Sequence, residues 1–304
     1  MMIDRRRFLE FLSWAAAAGT LTPRTALAAA TSTGFREIRN GVGYFWGRGG
    51  TIGWLISQDA IAVVDSQFMP TARILLEGIQ QRSKHPVDVL FNTHHHPDHT
   101  SGNAVFRGVT SRIIAQRNVP ALQQSQARTN NTLDDQVYAN EIFADESKIQ
   151  LGAHEIKAKY FGPAHTSGDA IIHFVDAQVV HLGDLVFNRW HPLIDAPHGA
   201  SVRGWLSVLE KIHTRFDKET VFIFGHGAEA YGRTGTLAEV ARQRDYFHAL
   251  LETAEKAVHA GRSRQETISL KSLPGFEEYV SVGERLSLAW CLGVAWDELA
   301  GQRR

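Results

Sequence analysis

Residues 91–102 read FNTHHHPDHTSG and carry four histidines and an aspartate in twelve positions. Imidazole and carboxylate groups at this density are ligands for a divalent metal, zinc first, with iron or manganese also suited. The stretch follows an apparent strand and opens an apparent helix. His94 and His96 can reach one ion from a turn, whereas Asp98 and His99 begin the helix and point to a neighbouring position, so two metals explain the pattern better than one. His95 occupies the intervening position and is expected outside the ligand set. One loop cannot complete two coordination spheres, so further ligands must come from other strand ends. His165 in GPAHTSGD, Asp184 in HLGD and His226 in FGHG are the candidates. Each has glycine nearby, which lets backbone approach a crowded site.

The ordered set His94-x-His96-x-Asp98-His99, then His165, Asp184 and His226, resembles the metallo-β-lactamase-fold hydrolase superfamily over about residues 35–230. That resemblance implies an α/β chain built as an αβ/βα sandwich of two mixed β-sheets flanked by helices, with a dinuclear metal site at one edge. It makes His94, His96 and His165 ligands of one metal and Asp98, His99 and His226 ligands of the other, with Asp184 between them. Asp65, in VVDS, would orient a ligand histidine. The cysteine-containing zinc β-lactamases have Cys where this chain has Asp184, and another subclass has no ligand there. The aspartate is similar to that of glyoxalase II and lactonases. The segment GDLVFNRWHPLIDAPHGASVRGW looks like that of exported members of the superfamily.

The implied chemistry is hydrolysis of a small lactone, β-lactam, ester or thioester, with two Zn2+ per chain and Asp98 accepting or relaying a proton. Two alternatives are an iron-dependent redox enzyme on the same scaffold and a non-catalytic metal-binding protein. Two divalent ions, two ligand carboxylates and a hydroxide leave about one formal positive charge, which favours a compact substrate with an anionic group near its carbonyl. Nucleic acid is not an expected partner: 32 basic and 32 acidic residues cancel, without the basic footprint such binding needs.

The elements that would position these residues alternate along the chain. GWLIS (53–57), AIAVVDS (60–66), DVLFNT (88–93) and TVFIFGHG (220–227) read as strands, with helices at TARILLEGIQ and SVRGWLSVLEKIHTRF. DAIIHFVDAQVVHLGD (169–184) reads as two strands joined near Asp176–Gln178. Beyond residue 235 the pattern is helical. Thr236 and Glu239 fit a capping box, and Leu237, Val240, Phe247, Leu251, Ala254 and Val258 form an apolar stripe ending at Gly261. A second helix is expected over 276–299. Residues 29–235 are therefore expected to form the main domain, and 236–304 a C-terminal helical extension packed on it. His173, His181, His191 and His198 are expected in structural roles, the last two with access to substrate as the alternative. Trp46, Trp54, Trp190 and Trp205 are expected in the core, as is the single cysteine, Cys291.

DRRRFLEFLSWAAAAGTLTPRTALAAA, at the N-terminus, has the layout of an export signal, and Arg5 and Arg6 followed by Phe8 and Leu9 resemble the twin-arginine type. Cleavage after Ala28, with Ala30 as the alternative, would give a periplasmic chain of formal charge −2 with no stable membrane association, its N-terminal partner being the twin-arginine export machinery. One cysteine excludes an intramolecular disulfide.

Overall fold

A computed structural model describes residues 34–301; the expected export signal, including Arg5, Arg6 and the cleavage site, lies outside the described residues. The first half contributes β1 (Phe35–Arg39), β2 (Val42–Phe45), β3 (Ile52–Ile56), β4 (Ile61–Val64), helix α1 (Met69–Arg82), β5 (Val89–Asn92), the short helices α2 (Pro97–Thr100) and α3 (Asn103–Phe106), β6 (Ile113–Gln116), α4 (Val119–Asn130) and β7 (Glu141–Phe143). These seven strands form one sheet in chain order, antiparallel from β1 to β4 and parallel from β4 to β7.

The second half contributes β8 (Glu146–Leu151), β9 (His154–Tyr160), β10 (Ala170–Phe174), β11 (Val179–His181), β12 (Phe187–Asn188), α5 (Val202–Arg215), β13 (Val221–Ile223), β14 (His226–Gly227), β15 (Thr234–Gly235), α6 (Leu237–His259), α7 (Arg264–Ile268) and α8 (Leu288–Gly301). Six strands form the second sheet in the order β15-β13-β11-β10-β9-β8, and β12 and β14 pair separately. The β10–β11 pair is antiparallel, as the sequence implies, while β11–β13 is parallel. Both sheets are thus mixed, and the fold is the expected αβ/βα sandwich.

Alternation along the strands builds the layers. Ala62 and Val64 of β4, with Val89 and Phe91 of β5, meet Ile156, Ile172, Phe174 and Ile223 of the second sheet in a core between the sheets. The intervening Ile61, Val63 and Leu90 point outward and are covered by Leu75 and Ile79 of α1. On the far side, Trp205, Leu209 and Ile212 of α5 pack with Phe247 and Leu250 of α6 and Leu292 of α8 over Val180 and Phe222. With both faces covered, the central strands are apolar throughout rather than alternating with polar residues.

Several expectations are corrected. Residues 220–227 form two strands, not one: β13 ends at Ile223, and Phe224–Gly225 carries the chain across to β14. The proposed helix over 276–299 begins only at Leu288. Gly275 takes φ +80°, and Val280 bridges to Trp190 instead of continuing a helix. On α6 the capping box is present and the expected stripe packs inward, Val240, Phe247 and Ala254 buried and Leu237, Leu251 and Val258 partly so, but the face is wider than expected and also buries Tyr246, Leu250 and Ala257. Trp205 and Trp54 are buried, whereas Trp46 is 45% exposed beneath the Arg233 guanidinium and Trp190 is half-buried. Among the described residues, no helix is long and apolar enough to cross a membrane.

Candidate metal centre

The loops after β4, β5, β11 and β13, together with the loop before β10, converge at one edge of the two sheets. The buried β5 delivers Thr93 and the three consecutive histidines, and Pro97 starts α2, whose first turn carries Asp98 and His99. The structure brings all seven expected ligands together as two adjoining groups, with the ligand atoms of each within 4.8 Å of one another: His94, His96, His165 and Asp184; and Asp98, His99 and His226. Asp184 lies between them. Its Oδ2 is 3.8 Å from His94 Nε2, 3.5 Å from His165 Nε2 and 3.4 Å from His226 Nε2, and its Oδ1 is 3.2 Å from His99 Nε2. A Cβ at Gly225 would overlap Asp184 Oδ1, so only glycine lets the crossing between β13 and β14 pass this close.

The outer nitrogens of the histidines determine what the inner ones can do. His96 Nε2 lies 2.9 Å from Asp195 Oδ2, His165 Nδ1 2.7 Å from the Leu193 carbonyl, and His99 Nδ1 2.8 Å from Asp65 Oδ2. The Thr93 hydroxyl donates to Asp65 Oδ2 at 2.8 Å and is left to accept from His94 Nδ1 at 3.0 Å. Each outer partner is an acceptor, so each outer nitrogen carries a proton, and a ring without a second proton turns a lone pair inward. Those lone pairs meet: His94 Nε2 and His165 Nε2 approach His96 Nδ1 to 3.1 and 2.9 Å. Such a meeting is unfavourable without a cation between the nitrogens. The buried Asp184 Oδ1 likewise has no aligned hydrogen bond. The residues fit a metal.

The two groups differ electrostatically. Burial pushes His94 well down and His165 to about 3, keeping both neutral at pH 7. At the other group burial again opposes charge, but Asp184 and Asp98 outweigh it, holding His99 well above its ordinary value and His226 at about 9. The carboxylates of the second group thus favour positive charge among its rings.

Asp65 is held in the left-handed region (φ 65°) and also accepts from the Thr93 backbone N–H at 2.8 Å. Phe187 and Trp190 both stack on the His226 ring, at 5.4 and 5.6 Å between ring centroids. His95 is buried beside the first group with no hydrogen bond at either ring nitrogen, 3.7 Å from Asp195. His181 is satisfied by the Thr51 carbonyl and the Gly183 N–H, and His191 by the Tyr246 hydroxyl. Sequence reasoning missed Asp195, whose only local signal was a carboxylate eleven positions beyond Asp184. It also missed Arg285, which donates to Asp195 from the C-terminal region.

The sequence profile of the metallo-beta-lactamase superfamily matches residues 47–226, a span holding every one of these ligands. The chain belongs to that superfamily. Metallo-beta-lactamase IND-1 of Chryseobacterium indologenes is 24% identical over 179 residues, covering 57% of this chain and 70% of that protein. Among solved structures, the metallo-beta-lactamase from Pontibacter korlensis superposes with a TM-score of 0.57 at 17% identity, over 70% of this chain and 98% of that one. The sec-alkylsulfatase Pisa1 from Pseudomonas sp. gives 0.65 at 17% identity over 88% of this chain, which spans about half (50%) of its length. The shared fold with the sulfatase extends beyond the 180 residues of the superfamily match. The fold is therefore shared by this chain and its relatives, and the histidine–aspartate clusters of this chain lie within the superfamily match.

Proposed function

We propose that this member of the superfamily is a zinc-dependent hydrolase that binds two ions per chain and cleaves a small lactone, β-lactam, ester or thioester. His94, His96 and His165 would hold one ion, Asp98, His99 and His226 the other, and Asp184 would serve both. The observation that carries the reading is the head-on meeting of imidazole lone pairs beside a buried carboxylate oxygen without a hydrogen bond. A donor set of nitrogen and oxygen without thiolate suits zinc, and also iron or manganese.

Divalent ions bound there supply Lewis acidity and a water acidic enough to be deprotonated near neutral pH. The protein's share is positional. Asp65 and Asp195 orient His99 and His96 from outside, and the buried shell excludes bulk water. Asp98 is 28% exposed at the floor of a cleft of about 270 Å³ that also reaches His96, Asp184 and His226. Burial opposes its ionisation, but His99 and His226 outweigh burial and keep it a carboxylate suited to a cation; a part in proton relay would rest on its place in the cleft.

Elemental analysis of the purified, zinc-supplemented chain, run beside a panel of lactone, β-lactam, ester and thioester substrates, tests both halves of the reading. Two ions per chain and turnover of at least one class are expected. At most one ion ends the dinuclear assignment, and two ions without turnover end the hydrolase assignment. We further propose export by the twin-arginine route, motivated by Arg5 and Arg6. Changing both to Lys should strand precursor in the cytoplasm, and undiminished periplasmic accumulation would count against the route.

A further inference from the structure

The cleft over the clustered imidazoles takes part of its wall from outside the region shared with the superfamily. Arg285, in the irregular stretch before α8, lines it together with Gln126, Phe187, Leu193 and Leu286. Arg285 and Gln126 thus share the lining with the carboxylates of Asp98 and Asp184 and with the apolar Phe187, Leu193 and Leu286. The guanidinium is fixed: Nη2 donates to Asp195 Oδ1 at 3.0 Å, and its carbon lies 5.1 Å from the Trp290 ring centroid. It is also available, being 46% exposed, and that single bond uses one of five N–H donors. Asp195 offsets its charge but occupies only one donor, since the other Asp195 oxygen is taken by His96 at 2.9 Å and His198 at 2.7 Å. A guanidinium held in place on the wall of a cleft of mixed polar and apolar lining is suited to a planar carboxylate, which it can grip with two parallel bonds.

We propose that Arg285 is the anion-recognition residue of this cleft, and that the substrate carries a carboxylate joined by a short apolar spacer to the carbonyl that is cleaved. The proposal rests on the hydrolase reading above and deepens it. It places substrate selection in the C-terminal segment, separate from the residues that would hold metal. Arg285 could instead act only as a strut for Asp195, and the Arg285→Gln variant separates the two roles, because the amide can still donate to Asp195 but carries no charge.

The test compares mono-4-nitrophenyl adipate with its methyl ester on zinc-loaded full-length chain. In the wild type kcat/KM should favour the acid, and in Arg285→Gln that preference should fall about tenfold, as expected for losing a charge-assisted bond. Arg285→Lys should restore part of it. An unchanged preference in Arg285→Gln, with both esters slowed alike, overturns the proposal in favour of the strut. If the wild type cleaves neither ester, the hydrolase reading is in question but the recognition site is still decided by calorimetry with glutarate and neutral glutaramide. Glutarate binding about tenfold tighter in the wild type than in Arg285→Gln supports the site. Equal affinities, or no binding to either protein, overturn it.

Discussion

At the scale of single residues, the outer partners of the histidines matter nearly as much as the proposed ligands. Asp195 is buried and holds His96 through the nitrogen that faces away from the other rings. Asp195→Asn weakens that acceptor and frees the ring to rotate. Zinc affinity at the first site should drop about 10- to 100-fold, read by competition with a coloured chelator. Asp65→Asn should do the same at the second site by loosening His99, and should also disturb the first through the Thr93 hydroxyl that partners His94. His95 gives the contrast. His95→Leu replaces an imidazole without hydrogen bonds by an apolar group of similar bulk, so two zinc ions per chain should remain. Loss of an ion from that variant would show that His95 is a ligand.

At the scale of elements, the C-terminal helices are tied to the site by specific contacts rather than by apolar packing alone. Glu298 of α8 caps a different helix: its carboxylate accepts from the Val202 N–H at 2.8 Å, the Arg203 N–H at 3.3 Å and the Ser201 hydroxyl at 3.2 Å, all at the N-terminus of α5. A negative group there also opposes the positive end of the helix dipole. Glu298→Ala should cost about 1–2 kcal/mol in urea denaturation, the range of a helix cap with partial burial. Trp205 on the same helix is fully buried against Phe187 and His165 and donates to the Leu185 carbonyl at 2.9 Å. Trp205→Ala should cost more, about 3–5 kcal/mol, because it leaves a cavity next to two site elements. If Glu298→Ala proved as costly as Trp205→Ala, the cap would be serving as a principal joint between α8 and the rest of the protein.

For the molecule as a whole, buried histidines set an acid limit on stability. His173 is pushed down to about 4 by burial, with Lys157 and Arg215 adding to the effect, and His191 is pushed to about 4 by burial. In the unfolded chain both titrate near 6.5. Between these values the unfolded state binds more protons, so the contribution of both residues is complete above pH 6.5 and is lost as pH falls toward 4. Urea midpoints measured at pH 7, 5.5 and 4.5 should decline, and His173→Asn with His191→Asn should flatten that decline. The comparison is between proteins with the same metal site, so the site's own titration cancels. A slope unchanged in the double variant would remove these two residues from the account.

The ligand chemistry was legible in the sequence because it is local. One strand end and one helix start place His94, His96, Asp98 and His99, and spacing alone separates them into two directions. The sandwich was legible for a related reason, since short apolar runs covered on both faces read as buried strands whatever their partners. The identity of His165, Asp184 and His226 as companions came from order and resemblance, whereas their convergence required the register of two sheets, as between His99 and His226, 127 positions apart. Only the tertiary structure brought in Asp195, 99 positions from the ring it orients, and Arg285, 90 positions from Asp195. Both sit in irregular segments, where no period constrains the side chain and position is decided by what packs around it. The same cause separates residues 276–287 from the expected helix: their composition suits one, but Gly275 turns the chain and Val280 bridges to Trp190 within a run of turns and bends.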